Sequence, residues 1–288
     1  MLVLSEASVK ASSSVSFLPE DLRCRLQQLQ CCFTWGLKEE DLQLDDLSRQ
    51  LQHDIDLQLG QRGAVRVLRY LQGRPQEALT LLSQSEDRTR KCFGEDSERR
   101  LIVTYGDMAW IQYHNGDYEE VQHPCGSSAE LHAEVLGEKG WTLLKFSKSL
   151  YQEAGQCFQR ALQLQPDSWE WNAGYAIALF RTEPSLSPAT KQLRRAVKFC
   201  PDDGVLMSML ALKLVHQHKH REAEVLVERV LAVGPDDDDQ VIRYVAKYLR
   251  IQVVFRQHLE FIRNKDDITV CFSSAFFHCT HTHTHTYN

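Results

Sequence analysis

The sequence predicts an all-α chain, a superhelix of helix-turn-helix hairpins, and three observations predict it. One residue pattern recurs three times at a near-constant period, apolar residues fall at helical spacing along most of the chain, and strand-like alternation is absent. Ala154, Phe158, Ala161 and Pro166 are answered 35 residues later by Ala189, Leu193, Ala196 and Pro201, and 34 residues further on by Ala223, Val227, Val230 and Pro235. Small residues let two helices approach, a large one fills the groove between them, and Pro ends the helix because it cannot continue the hydrogen-bond ladder. A period near 34 with this small-large-small order and a closing Pro is the tetratricopeptide signature. A single hairpin cannot bury its own apolar face, so the helical region is read as one domain over 19–264. It lies between a flexible Ser-rich start at 1–18 and a low-complexity tail at 265–288.

The elements follow in order. Leu22, Leu26, Leu29, Cys32 and Phe33 predict a first helix from Pro19, with Glu20 and Asp21 suiting its start. Leu44, Leu47, Leu51 and Ile55 predict a second. After a break at Gly60 to Gly63, a helix pair is divided at Gly73, with Pro75 fitted to the first turn of its second member. A matching hinge stands at Gly116, 43 residues on, so the early units carry longer helices than the later ones. Pro124 and Gly126 interrupt the next helix. Ser187-Pro188 reads as a cap and first-turn proline for the helix that carries Ala189. After Arg250 the periodicity weakens: VFRQHLEFIR reads as one more helix, and the Thr-His alternation that follows is what a translated CA dinucleotide repeat gives.

A chain of 288 residues with 43% apolar content can bury a sizeable core. Its nine cysteines form no CxxC pair and several sit in apolar helical surroundings, which favours reduced thiols and the cytosol; the adjacent Cys31 and Cys32 read as packing. Glu6 interrupts any leader-like apolar run, and no segment approaches the roughly 20 apolar residues of a membrane span. A formal net charge of −6 argues against general affinity for nucleic acid, DNA included, or for anionic membranes, so any such binding has to come from a local cluster. Catalysis finds no foothold: there is no Gly-rich phosphate loop, no HExxH and no GxSxG. Of His216, His218 and His220, the pair His216 and His220 stands one turn apart and would need a third ligand to hold a metal, and the Thr-His tract lacks rigid surroundings, so neither a metal nor a cofactor is expected.

One constellation stands out. Lys145 and Arg181 each end an otherwise apolar first helix, WTLLK and YAIALFR, at nearly equivalent places in consecutive repeats, and Arg243 in VIRY extends the row. First helices line the inner face of such an array, where an Arg fork and a mobile Lys charge together suit a triphosphate. The plainer reading is a set of solvated cations stabilising helix ends by about 0.3–1 kcal/mol each. Trp141 reads equally as core or as a platform for a base, while Trp110, Trp169 and Trp171 read as packing between repeats.

In CCFTWGLKEEDLQLDDL, VTYGDMAWIQYHNGDYEE, EKGWTLLKFSKSLYQEA, NAGYAIALFRTE and VIRYVAKYLR, the sequence resembles the interferon-induced proteins with tetratricopeptide repeats, from about Leu22 to Arg250. The resemblance implies a non-catalytic antiviral protein of innate immunity that sequesters the 5′ end of foreign single-stranded RNA, bearing a triphosphate or an incompletely methylated cap. It also implies association with related members. The family's RNA-contacting positions fall on Lys145, Tyr151, Arg181, Arg243 and Tyr244, with Trp141 as the stacking aromatic and Gln50 as a polar contact. At Gln240 some members carry an aromatic. About a dozen residues expected after Val121 are missing, and the unrelated tail stands where the family's C-terminal half closes the pocket. Two other readings therefore stand beside RNA capture: a scaffold whose groove accepts a peptide or another protein, and a truncated product unable to close a pocket.

Overall fold

The computed structural model describes residues 19–37, 62–118, 132–183, 186–233 and 239–264. Two compact units divide between Thr182 and Glu183. Among the described residues all regular structure is helical.

The first unit holds α1 (Pro19–Leu26), α2 (Arg62–Leu71), α3 (Pro75–Phe93), α4 (Ser97–Asn115), α5 (Ala133–Phe146), α6 (Tyr151–Leu164) and α7 (Trp169–Thr182). Consecutive helices from α2 to α5 pack on one another, α6 packs on both α5 and α7, and α5 also meets α7 directly. The expected hinges are present: Gly73 and Gly116 take left-handed φ of 73° and 87°, which glycine adopts without a Cβ penalty, and Pro75 opens α3. Both α3 and α4 run 19 residues against 14 for α5, α6 and α7, so the early helices are the longer ones.

The repeat pattern maps onto packing residue by residue. Ala154, Phe158 and Ala161 are fully buried on α6, and Pro166 follows its end. The Phe158 ring fills the groove between α5 and α7, where Gly140 and Gly174 leave it room. A Cβ at Gly174 would lie 2.4 Å from its Cε1 and Cζ, and one at Gly140 would lie 2.9 Å from Cζ.

In the second unit, α8 (Leu186–Phe199), α9 (Gly204–His216), α10 (His220–Val233) and α11 (Asp239–Asn264) are built the same way. Helix α9 meets α8, α10 and α11, and is buried almost along its whole length. Ala189, Leu193 and Ala196 on α8 and Ala223, Val227 and Val230 on α10 are the buried equivalents of the α6 triplet.

Several expectations are corrected. The first helix stops at Leu26, and a short 3-10 turn follows at Cys32–Thr34. The chain breaks there because Cys31 is extended, with φ −143° and ψ 163°, and its Cβ lies against the backbone of Gly106, while the Cys32 N–H donates to Asp107 Oδ1 at 2.8 Å. Both thiols are buried and unpaired with each other; burial pushes Cys31 up to about 12, so it stays protonated and inert. Helix α2 begins at Arg62, so Gly63 lies inside it, and Leu186 opens α8, which puts Ser187 inside the helix while Pro188 keeps its first-turn place. The segment 254–263 continues α11 without a break. Trp171 is buried against Gly137 and Trp110 stacks on Phe33 at 5.7 Å, but Trp169 is 60% exposed, at the first position of its helix, where its side chain clears the core. The helix expected over 44–55, the interruption at 124–126, the Ser-rich start and the Thr-His tail lie outside the described residues.

The first unit also buries charge. Asp107 is inaccessible, and Arg66, 3% exposed, donates to Ser85 Oγ at 2.8 Å and pairs with Glu138 at 3.2 Å. Burial drives the Asp107 carboxyl from 3.8 to about 6, opposed by the Arg66 charge and the Cys32 bond. Between about pH 4 and 6 the folded protein therefore keeps a proton that the unfolded chain has released, so this group's contribution to stability declines by about 3 kcal/mol as pH rises through that window. Asp107→Asn, which retains an acceptor for Cys32, is expected to flatten that slope without lowering stability at pH 7.5. Urea midpoints at pH 4, 5, 6 and 7.5 for both proteins check it.

Candidate nucleic-acid interface

Helices α5 and α7 run side by side in the same direction. At their N-terminal ends the Trp171 ring occupies the space of a missing side chain at Gly137, with a Cβ there falling 2.0 Å from Trp171 Cζ3. At their C-terminal ends Arg181 Nη1 donates to the Leu144 carbonyl oxygen at 3.3 Å. That carbonyl is one of the four that the last turn of α5 leaves without an intrahelical partner.

The loop after α5 completes the arrangement. Ser147 is extended, with φ −153° and ψ 148°, and its Oγ accepts from the Ser149 N–H at 3.3 Å, fixing a tight 3-10 turn over Lys148–Leu150. This turn delivers Tyr151, the first residue of α6, beneath Arg181, whose Cζ stands 5.0 Å from the ring centroid. Arg181 thus reaches both the residue before Lys145 and the ring of Tyr151. Lys145 and Arg181 are half-buried in the last turns of their helices, where the helix dipoles favour cations. The Leu144 bond uses one of the five N–H donors of the guanidinium.

Trp141, one turn before Lys145, packs edge-on against Phe158 with centroids 5.2 Å apart and is half-buried, so it stands at the margin of the core. Arg243 and Tyr244 lie on α11 in the second unit; Arg243 is exposed, and Lys247 Nζ stands 5.6 Å from the Tyr244 ring centroid. Gln50 lies outside the described residues. Sequence spacing does not single out the acidic row behind the cations. Glu138 on α5 and Glu170 on α7 face Arg66 and Arg100, with Arg100 Nη1 3.4 Å from Glu170, and burial raises both carboxyls above their usual range.

Among the described residues no three His, Cys, Asp or Glu side chains converge on a metal position, and no helix is long and apolar enough to cross a membrane. His218 is the left-handed residue of its turn, and His220 stacks on Phe255 at 4.3 Å.

No family model matches the chain. Protein IFIT1 homolog B of Homo sapiens is 30% identical over 278 residues, covering 88% of this chain and 58% of that protein. Interferon-induced protein with tetratricopeptide repeats 2 of Homo sapiens is 31% identical over 290 residues, covering 90% and 59%. The chain is a homologue of the interferon-induced proteins with tetratricopeptide repeats. Solved members share its fold. The human IFIT1 dimer with PPP-AAAA superposes with a TM-score of 0.70 at 30% identity, over 84% of this chain and 57% of that one. A monomeric IFIT1 mutant with Gppp-AAAA superposes with a TM-score of 0.70 at 26% identity, over 93% and 66%. This interferon-induced protein homologue spans between half and two thirds of the length of the curated relatives it matches. The all-α tetratricopeptide reading and the family resemblance are both borne out.

Proposed function

We propose that the protein is a non-catalytic, cytosolic RNA receptor of antiviral innate immunity that holds the 5′ end of foreign single-stranded RNA, with Lys145 and Arg181 on the phosphates. The observation that carries this reading is the span of Arg181 from the Leu144 carbonyl to the Tyr151 ring, which brings a planar cation to the helix end that bears Lys145. A fork and a point charge at one place match the dense charge of a triphosphate or a cap bridge. Tyr151 offers a hydroxyl, and Trp141 an aromatic edge. The IFIT1 structures that share the fold hold 5′-triphosphate and capped oligonucleotides. Arg243 and Tyr244 enter this reading from the family resemblance.

The test is a binding assay with one RNA carrying a 5′-triphosphate, a cap or a 5′-hydroxyl. The triphosphate and capped forms are expected to bind more tightly than the hydroxyl form. Arg181→Ala and Lys145→Ala are each expected to weaken them by about 10–100-fold, the loss of a hydrogen bond to a charged group. Arg181→Lys, which keeps charge but loses the fork, is expected to fall between. Equal binding of all three RNAs, unchanged by these substitutions in proteins that still fold, would refute the reading.

A further inference from the structure

Arg181 closes a small loop of chain. It donates to the Leu144 carbonyl and covers the Tyr151 ring, so one cation holds both ends of the segment 144–151, LKFSKSLY, which also contains Lys145. Three hydroxyl groups lie in this segment, and their surroundings differ. Tyr151 is half-buried beneath Arg181, and the Ser147 oxygen, also half-buried, accepts the Ser149 N–H at 3.3 Å. Ser149 is the middle residue of the 3-10 turn and is exposed beside the exposed Lys148, with its Oγ 2.9 Å from that of Ser147.

Position makes this exposed hydroxyl consequential. Each residue advances a chain by at most about 3.6 Å, so the Ser149 Cα lies within about 7 Å of the Tyr151 Cα and within about 14 Å of the Lys145 Cα. A phosphate on Ser149 would bring about two negative charges and three acceptor oxygens to the mouth of the site. That is the chemistry of the RNA end itself. Tethered there, it acts at an effective concentration on the order of millimolar, and its field reaches roughly 8 Å at physiological ionic strength. It therefore competes for the cations and repels an incoming 5′-phosphate. An RNA with a 5′-hydroxyl carries less charge at that end and loses less.

We propose that Ser149 is a phosphorylation site that switches off 5′-phosphate binding, an inference that rests on the RNA-receptor reading above. In the modifying step the Ser149 Oγ attacks the γ-phosphorus of a nucleoside triphosphate held by a protein kinase. The Oγ–P bond forms and the bond from that phosphorus to the β-phosphate oxygen breaks. The nucleoside diphosphate leaves with the electron pair, and the hydroxyl proton passes to the kinase's base. The Ser147 hydroxyl then stands beside the new phosphate as a donor.

The test encodes phosphoserine at position 149 of the full chain and compares it with the unmodified protein on one RNA carrying a 5′-triphosphate or a 5′-hydroxyl. Phosphoserine at 149 is expected to weaken triphosphate binding by about tenfold or more and hydroxyl binding by less. Phosphatase treatment of the same sample is expected to restore binding, which also shows that the modified protein is folded. Ser149→Ala keeps the N–H that Ser147 accepts and is expected to bind as the unmodified chain does. Phosphoserine at Ser83, exposed on α3, adds equal charge elsewhere and is expected to leave the preference for triphosphate intact. In protein isolated from cells with phosphatases inhibited, a peptide spanning residues 146–160 is expected to carry phosphate on Ser149. An unphosphorylated peptide, or phosphate on Ser147 or Tyr151 alone, would overturn the inference. So would an unmodified chain that prefers triphosphate and keeps that preference with phosphoserine at 149, an outcome that leaves the receptor reading standing. An unmodified chain that binds both RNAs alike would bring down the receptor reading, and this inference with it.

Discussion

Phe158→Ala is expected to destabilise the first unit by about 3–5 kcal/mol, at the upper end for a buried truncation. The ring is fully buried, and two of its walls are glycines, Gly140 on α5 and Gly174 on α7, with the Trp141 edge as a third. A cavity collapses when neighbouring side chains swing into it, and glycines have none to offer. The space left by the ring would therefore persist. The converse substitution, Gly174→Ala, puts a methyl where Phe158 already stands and is expected to cost about 1–3 kcal/mol by overpacking. The two changes should not add, because removing the ring opens the space the methyl needs. All five tryptophans, at 35, 110, 141, 169 and 171, precede Thr182, so fluorescence-detected urea unfolding reads this unit alone. Loss of the wedge also frees α5 from α7, so weaker 5′-triphosphate binding should accompany the loss of stability.

How much of this was readable beforehand follows from where each determinant lies. The buried triplets on α6, α8 and α10 depend only on spacing within one helix and on a 34- to 35-residue period, and all nine residues are buried where that period puts them. Gly73, Pro75 and Gly116 act through local backbone geometry and were equally legible. The end of α1 was not. Leu29, Cys32 and Phe33 continue helical spacing past Leu26, but the chain is pulled straight at Cys31 by Gly106 and Asp107, partners 75 residues away that no local window contains. Trp169 misled in the opposite way, since residue type suggested burial and a helix-terminal position gave exposure.

For the site, repeat equivalence placed Lys145 and Arg181 at matching helix ends. The bond from Arg181 to the Leu144 carbonyl could not be read in the same way, because it depends on the offset between α5 and α7. That offset is set by the Trp171 ring over Gly137 and the Phe158 ring over Gly140 and Gly174, three glycines whose meaning emerges only once the aromatic partners are known.

Arg66→Ala should rival the Phe158 truncation for a different reason. Removing one partner of a buried ion pair costs about 3–5 kcal/mol, because the other charge is left in a medium that solvates it poorly. Arg66 faces two such charges: it pairs with Glu138 at 3.2 Å, and its field also opposes the desolvation of Asp107. Without it both carboxyls move further above their unfolded values. The folded state then gains most from protonating them, so the deficit should be larger at pH 7.5 than at pH 5, where the two acids are closer to neutral. Unfolding of Arg66→Ala at both pH values, beside the wild type, measures this difference directly. The pair itself need not stabilise the fold, since a buried ion pair exchanged for apolar or neutral groups of like volume is often neutral. Arg66→Met combined with Glu138→Gln is accordingly expected to recover most of what Arg66→Ala loses at pH 7.5. Failure of that double variant to recover would mean that the Arg66 bond to Ser85 on α3, and not the relief of stranded negative charge, is what the first unit depends on.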